Sequence, residues 1–219
     1  LTYKITRLPD SIVVAETTTG NEYIDNSITK LNIYSYQIQA ITPDGAGPTA
    51  TTDRLVMGPA LTVPYRCNFA TDDQFALWNV IDANNDEYTW KRETTLAAAY
   101  YYYNEDGETG GDDWLVSSPI HLEKDKIYRL KFKLQSYDVG YPEKVAVHLG
   151  TGASVAEQTT LLGDYEVESN TFVEYKVILP ERLESGNYHI SFHCHSEPYM
   201  FILYVTDVLL EEVSEGVLS

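Results

Sequence analysis

Tyr128-Arg129-Leu130-Lys131-Phe132-Lys133-Leu134 is the stretch that decides the fold. Four apolar residues alternate with three cations, the period of two that puts one face of a β-strand in a core and leaves the other in water. The same period recurs on either side. Val145, Val147 and Leu149 form one such face, and Val173, Tyr175, Val177 and Leu179 form another, opposite Glu174 and Lys176. Tyr65, Cys67 and Phe69 share a face upstream. Phe201 to Leu210 is apolar on both faces apart from Thr206 and Asp207, so it is expected to run through the middle of a sheet.

The composition agrees with an all-β chain. Tyrosine occurs 18 times against 2 methionines in 219 residues, which favours pleated, half-buried surfaces over long helices. The net charge of −18, from 15 basic and 33 acidic residues, repels phosphate backbones and anionic membrane surfaces. Nucleic acid is therefore excluded as a natural partner. No apolar run approaches the ~20 residues that span a bilayer, so no membrane insertion is expected within this chain.

The first 57 residues carry shorter strands. Leu1, Tyr3 and Ile5 alternate with polar neighbours; Ile12 to Ala15, Tyr23-Ile24-Asp25, Tyr34 to Ile41 and Thr49 to Leu55 follow, with turn residues between them. Met57-Gly58-Pro59-Ala60 then breaks the strand period and marks a boundary. Only four basic and six acidic residues stand before it, so nearly all the net charge belongs to the second segment. The organisation read from this is a domain over 1–57, a second over 58–214, and 215–219 as a linker toward a further module.

Tyr23-Ile24-Asp25, Ile28, Tyr34, Ala40 and Gly45-Ala46-Gly47 resemble the second half of a fibronectin type III domain. That resemblance implies an immunoglobulin-like sandwich lacking its first strands, with Tyr34 as a tyrosine corner whose phenol bonds back to the backbone. The second segment resembles the jelly-roll domains called choice-of-anchor J or cleaved adhesin domains, which are related in architecture to MAM domains and accompany gingipain proteases. The resemblance lies in Phe75 to Asp86 with Trp90, in Asp112-Asp113-Trp114-Leu115-Val116-Ser117-Ser118-Pro119-Ile120, in Tyr128 to Leu134 and in Tyr204 to Val208. It implies two antiparallel sheets around one core, a structural calcium ion, and residence in an exported bacterial protein, secreted or held at the cell surface and associated with the outer membrane.

Asp82, Asn84 and Asp86 have the alternating oxygen spacing of a calcium loop, without the glycine and distant glutamate of an EF-hand; a plain turn before Trp90 has the same pattern. The resemblance directs attention to remote carboxylates as well: Asp72 or Asp73, Asp112 or Asp113, and Asp207, whose place in an apolar strand calls for a partner. His193 and His195 point to one side of a strand, as a zinc site would begin, but lack a third ligand; exposed strand histidines are the plainer reading. Cys194 lies with Ile190 and Phe192, and Cys67 with Tyr65 and Phe69, so both sulfurs point inward, either as a disulfide or as two buried thiols. In Tyr100-Tyr101-Tyr102-Tyr103 alternate rings must be exposed if the run is a strand, with Tyr101 and Tyr103 as the candidate ligand contacts; a strand packed on both faces is the alternative.

No nucleophile elbow, zinc-protease helix, phosphate-cradling glycine loop or dinucleotide fingerprint occurs. The sequence thus points to a non-catalytic adhesion or ligand-binding module of a multidomain protein, whose partner is a host or matrix protein or a glycan. The alternative is a carbohydrate-binding accessory domain of a secreted glycoside hydrolase or peptidase.

Overall fold

The computed structural model describes residues 1–102 and 109–214. Tyr103 and the proposed linker 215–219 lie outside them. The chain divides into two compact units, Leu1–Pro59 and Ala60–Ser219.

The first unit is one antiparallel sheet of β1 (Thr2–Leu8), β2 (Ile12–Thr18), β3 (Asn32–Thr42), β4 (Gly45–Thr51) and β5 (Leu55–Met57), in the order β2-β1-β3-β4 with β5 pairing the start of β3. Ile5 and Tyr34 are its buried apolar residues. The rest of that face (Tyr3, Tyr36, Ile38 and Met57) is half-buried and lines an open cleft of about 580 Å³. Tyr23-Ile24-Asp25 is not a strand. Asp25 is drawn instead to Arg7 Nη1 (2.9 Å) and to the Tyr36 phenol (2.9 Å), while Ile24 is left in solvent. Tyr34 Oη donates to the Lys30 carbonyl at 2.9 Å, so the phenol does bond back to backbone.

The second unit is a sandwich of two six-stranded sheets. Its strands are β6 (Tyr65–Cys67), β7 (Asn79–Asp82), β8 (Lys91–Glu93), β9 (Ala98–Tyr102), β10 (Asp113–Val116), β11 (Ile120–Leu122), β12 (Ile127–Ser136), β13 (Glu143–Gly150), β14 (Thr160–Val167), β15 (Val173–Ile178), β16 (Gly186–Cys194) and β17 (Ile202–Val213). One sheet runs β14-β13-β16-β10-β7 with β11 on β16, and the other β15-β12-β17-β9-β8 with β6 on β17. A single helical turn, α1 (Asp72–Ala76), is capped by Thr71, whose Oγ1 accepts from Gln74 N.

Alternation sets the core. Leu130, Phe132 and Leu134 from β12 meet Val145, Val147 and Leu149 from β13 and Ile190, Phe192 and Cys194 from β16, all at most 2% exposed. Burying a set of this size is the main favourable term in forming the unit. β17 does run through the middle of its sheet, between β12 and β9, and extends to Val213 rather than stopping at Leu210. Asp207 is not in the apolar interior. The β12–β17 register slips between Lys131 and Lys133, and Asp207 occupies the irregularity with φ of 50°, turning out to an ion pair with Lys133 at 2.8 Å. Cys67 and Cys194 are both free and buried.

Candidate functional site

Of the eight acidic or amide residues read as cation ligands, the fold brings four together. β7 and β10 pair so that Asp82 stands opposite Asp113, and the turn after β7 folds Asn84 and Asp86 back toward them. Much of that turn is self-satisfied: Asp82 accepts from the amides of Asp86 (3.2 Å) and Glu87 (2.9 Å), and Asp86 from the amide of Tyr88 and the hydroxyl of Thr109. Asn84 Nδ2 donates to the Gly110 carbonyl at 3.0 Å. Three oxygens are left over. Asn84 Oδ1, Thr89 Oγ1 and Asp113 Oδ1 are buried without a hydrogen-bond partner. Asp113 is 0% exposed, and burial, aided by the charges of Asp82 and Asp86, pushes its carboxyl up to about 7 against the opposing pull of the nearby Thr89 hydroxyl dipole and of the hydrogen bond from the Asp112 amide.

A hard cation prefers such oxygens, amide, hydroxyl and carboxylate alike, and would supply the positive charge that Asp113 lacks. The chemistry of the donor set therefore fits calcium. A ready-made trio of charged ligands is not there: among the described residues no three His, Cys, Asp or Glu side chains are placed to hold a metal together. Asp72, Asp73 and Asp207 stand apart from the cluster. Asp72 and Asp73 open the exposed first turn of α1, where Asp72 pairs with Arg92 at 2.6 Å.

Asp112 faces the other way, into a row that sequence reading saw only in part. Its Oδ1 bonds His193 Nε2 at 2.8 Å and lies 3.4 Å from Trp114 Nε1. The His193 ring stacks on Trp114 with centroids 4.0 Å apart and planes 7° from parallel. His148, brought alongside by the pairing of β13 with β16, is 5.0 Å from the Trp114 ring and leaves Nδ1 buried without a partner. His195 bonds Asp164 at 2.8 Å. Burial pushes His148 and His193 below the usual imidazole range, with Asp112 opposing that for His193. Thus His193 is a stacked, largely covered ring rather than an exposed one.

The tyrosine run has the opposite phase from the one expected. Tyr101 points into the core, 1% exposed, edge-on to Trp90 at 6.3 Å, because β9 pairs with β17 so that Tyr101 stands opposite inward-facing Leu203. Tyr100 and Tyr102 face outward. Tyr100 meets Tyr204 at 6.3 Å, and Tyr204 meets Phe172 at 6.5 Å. Tyr102 contacts Phe201 edge-on at 5.5 Å, and Phe201 is also met by Tyr137 at 4.5 Å and Tyr141 at 6.2 Å. Rings from β9, β17 and the segments flanking them therefore join in one aromatic surface. Tyr137 and Tyr141 on its margin are 53% and 47% exposed. Tyrosine in this setting offers an apolar face with a polar tip, the character of contact residues.

No family model matches the sequence, and no curated protein matches it. Solved structures do. The K1 cleaved adhesin domain of Lys-gingipain from Porphyromonas gingivalis W83 matches at a TM-score of 0.56 and 19% identity, over 69% of this chain and 99% of that one. The K3 domain of the same protein matches at 0.53 and 19%, over 67% and 96%, and the K2 domain at 0.52 and 14%, over 68% and 99%. At such identities the likeness establishes the fold. The chain carries a cleaved-adhesin-like β-sandwich.

Proposed function

We propose that this chain is a non-catalytic binding module of an exported or cell-surface bacterial protein, and that its partner is held on the tyrosine-rich surface of the second unit. The observation that carries this reading is the convergence of Tyr100, Tyr102, Tyr137 and Phe201 on one outward surface, with Tyr204 buried against Tyr100. Large, stiff, amphipathic side chains clustered in this way supply contact area at low entropic cost. The matched domains carry the name adhesin, which supports the same reading by analogy of fold.

The remaining polar groups serve architecture. Cys194 is buried and its thiol is pushed well above the usual range by desolvation, so it is a poor nucleophile. His193 and His195 are each tied to an aspartate. Asn84, Thr89 and Asp113 would hold a structural calcium ion and so fasten the β7 turn to β10. The first unit, a single sheet with the Tyr34 bond, reads as a fibronectin type III-like spacer.

A carbohydrate-binding accessory role is the second reading, favoured by phenol-rimmed ring faces on which sugars can stack. Binding of the 219-residue chain to arrays of matrix proteins and of simple polysaccharides separates the two. Tyr100→Ala and Tyr102→Ala together are expected to weaken binding at least about tenfold, the scale of a lost aromatic hot spot. Unchanged binding after both substitutions would move the site elsewhere, and hydrolysis of any captured polymer would overturn the non-catalytic reading.

A further inference from the structure

On a chain with a large surplus of acid, one outward face of the second unit is basic. Arg129, Lys131 and Lys133 alternate along β12, Lys176 stands on β15 and Arg66 on β6, and the carboxylates among them are Glu174, Asp207 and Glu211. Five cations against three anions leave a surplus of two positive charges, whereas residues 60–219 as a whole hold 11 basic and 27 acidic side chains. Two details set this face apart from an ordinary solvated one. Lys131 and Lys176 stand directly opposite each other in the β12–β15 pairing, where like charges repel and weaken the sheet. The guanidinium of Arg66 is exposed and has no ion pair or hydrogen bond among the described residues. The other cations are held at the surface by pairs that contribute little and exchange readily for another anion. Glu211 is shared by Arg129 (2.8 Å) and Lys131 (3.0 Å), while Lys133 pairs with Asp207 (2.8 Å) and Lys176 with Glu174 (3.1 Å).

The irregularity in β17 shapes the place. Two residues of β12, Lys131 and Lys133, are matched by the longer step from Leu209 to Thr206, and Asp207 is swung outward. An open groove of about 650 Å³ lies there, walled by Arg66, Asn68, Gln74, Lys131, Lys133 and Asp207. Asn68 Oδ1 and Gln74 Oε1 both accept from the Ala70 amide (3.3 and 2.8 Å), so their amino groups remain to donate. Among the described residues no aromatic side chain lines the groove.

We propose that this groove binds an acidic glycan, a polysaccharide whose sugar rings carry carboxylates. The fork of Arg66 matches a carboxylate. Lys131 and Lys133, about 7 Å apart along β12, can meet successive anions. Asn68, Gln74 and the carboxylates of the groove bond the hydroxyls between them. An acidic peptide is the poorer occupant, because peptide partners draw their affinity from aromatic and apolar anchors, and the groove offers no ring to pack one against. The negative field of the rest of the unit repels a polyanion elsewhere and so favours its approach here. This site goes beyond the tyrosine-rich contact face and does not depend on it.

The test is isothermal titration of the 219-residue chain at pH 7 with polygalacturonate, its methyl ester and poly-L-glutamate. Polygalacturonate should bind, and raising the salt from about 20 to about 200 mM should weaken it severalfold. The ester keeps the backbone and loses the charge, and should bind far more weakly. Arg66→Ala combined with Lys176→Glu should cost at least about tenfold in affinity. Lys91→Ala combined with Lys144→Glu makes the same change in net charge elsewhere on the unit and should stay within about twofold of wild type. Lys176→Glu also sets an anion opposite Lys131, so its melting temperature should hold or rise; weaker binding by a protein that melts no lower is not a result that damage to the fold produces. No binding of polygalacturonate, equal binding of acid and ester, equal binding by wild type and the Arg66→Ala, Lys176→Glu protein, or tighter binding of poly-L-glutamate would each overturn the proposal. Polygalacturonate binding should survive Tyr100→Ala with Tyr102→Ala, which probe the contact face; its loss there would place the glycan on the tyrosines and overturn the groove.

Discussion

Calcium should raise the melting temperature of the second unit, and Asp113→Asn should abolish the response. At pH 8 the buried Asp113 carboxyl, displaced from 3.8 to about 7, must ionise beside Asp82 and Asp86. A displacement of that size corresponds to a folded-state penalty on the order of 4 kcal/mol. A divalent ion seated among Asp113, Asn84 and Thr89 removes the penalty and satisfies their three orphaned oxygens. At 1 mM calcium and a Kd of about 10 μM the linked stabilisation is ~2.7 kcal/mol. In a domain of this size that is roughly 5–10 °C. The assay is scanning calorimetry at pH 8, with 1 mM calcium chloride against a chelator. Asp113→Asn removes the buried charge while keeping the side-chain shape, so the metal-free variant should melt no lower than metal-free wild type and should ignore calcium. A wild-type melt that is the same with ion and chelator, or a variant that responds as wild type does, would refute the reasoning.

Two further outcomes test the fold. Arg7 is buried and binds Asp10, Asp25 and Ser27; Arg7→Met strands Asp25 and should destabilise the first unit by about 3 kcal/mol, leaving the melt of the second in place. Asp25, whose burial is outweighed by bonds from Ser27, Tyr36 and Arg7, is held down to about 2. Its contribution is present above the ordinary carboxylate range and is lost as the pH falls toward 2, which acid unfolding of the first unit should show. For the sulfurs, a thiol reagent should find essentially none reactive in the native chain and two after denaturation; a count of zero after denaturation would mean a bridge between Cys67 and Cys194.

The strands were legible wherever one face was wet. Tyr128 to Leu134 reads correctly because its cations and apolar residues cannot trade places without burying charge. The tyrosine run had no such marker. Four identical residues carry no phase, and it was the pairing of Tyr101 with Leu203, remote in sequence, that chose which rings face out. Asp207 misled because an irregularity in strand pairing leaves no trace in composition, whereas Asp82, Asn84, Asp86 and Asp113 were visible through spacing and through the Asp-Asp-Trp string. His148 escaped notice because β13 and β16 bring it to His193 from 45 residues away. The buried carboxyl of Glu143 could have been found. It has the same parity as Val145, Val147 and Leu149, so the alternation that buries those three also buries a carboxylic acid.

The pairing of β6 with β17 bears on how the second unit would behave under load. Tyr65 stands opposite Leu210 and Cys67 opposite Val208 in antiparallel register, so the chain enters β6 at the same end of the strand pair from which it departs beyond Leu210. Force applied between Ala60 and Val213 would therefore part those three pairings in succession, like a zip fastener, instead of straining them all at once in shear. Neither sulfur is engaged in a covalent stop. Load applied at those two points would therefore meet little resistance from the β6–β17 pairing.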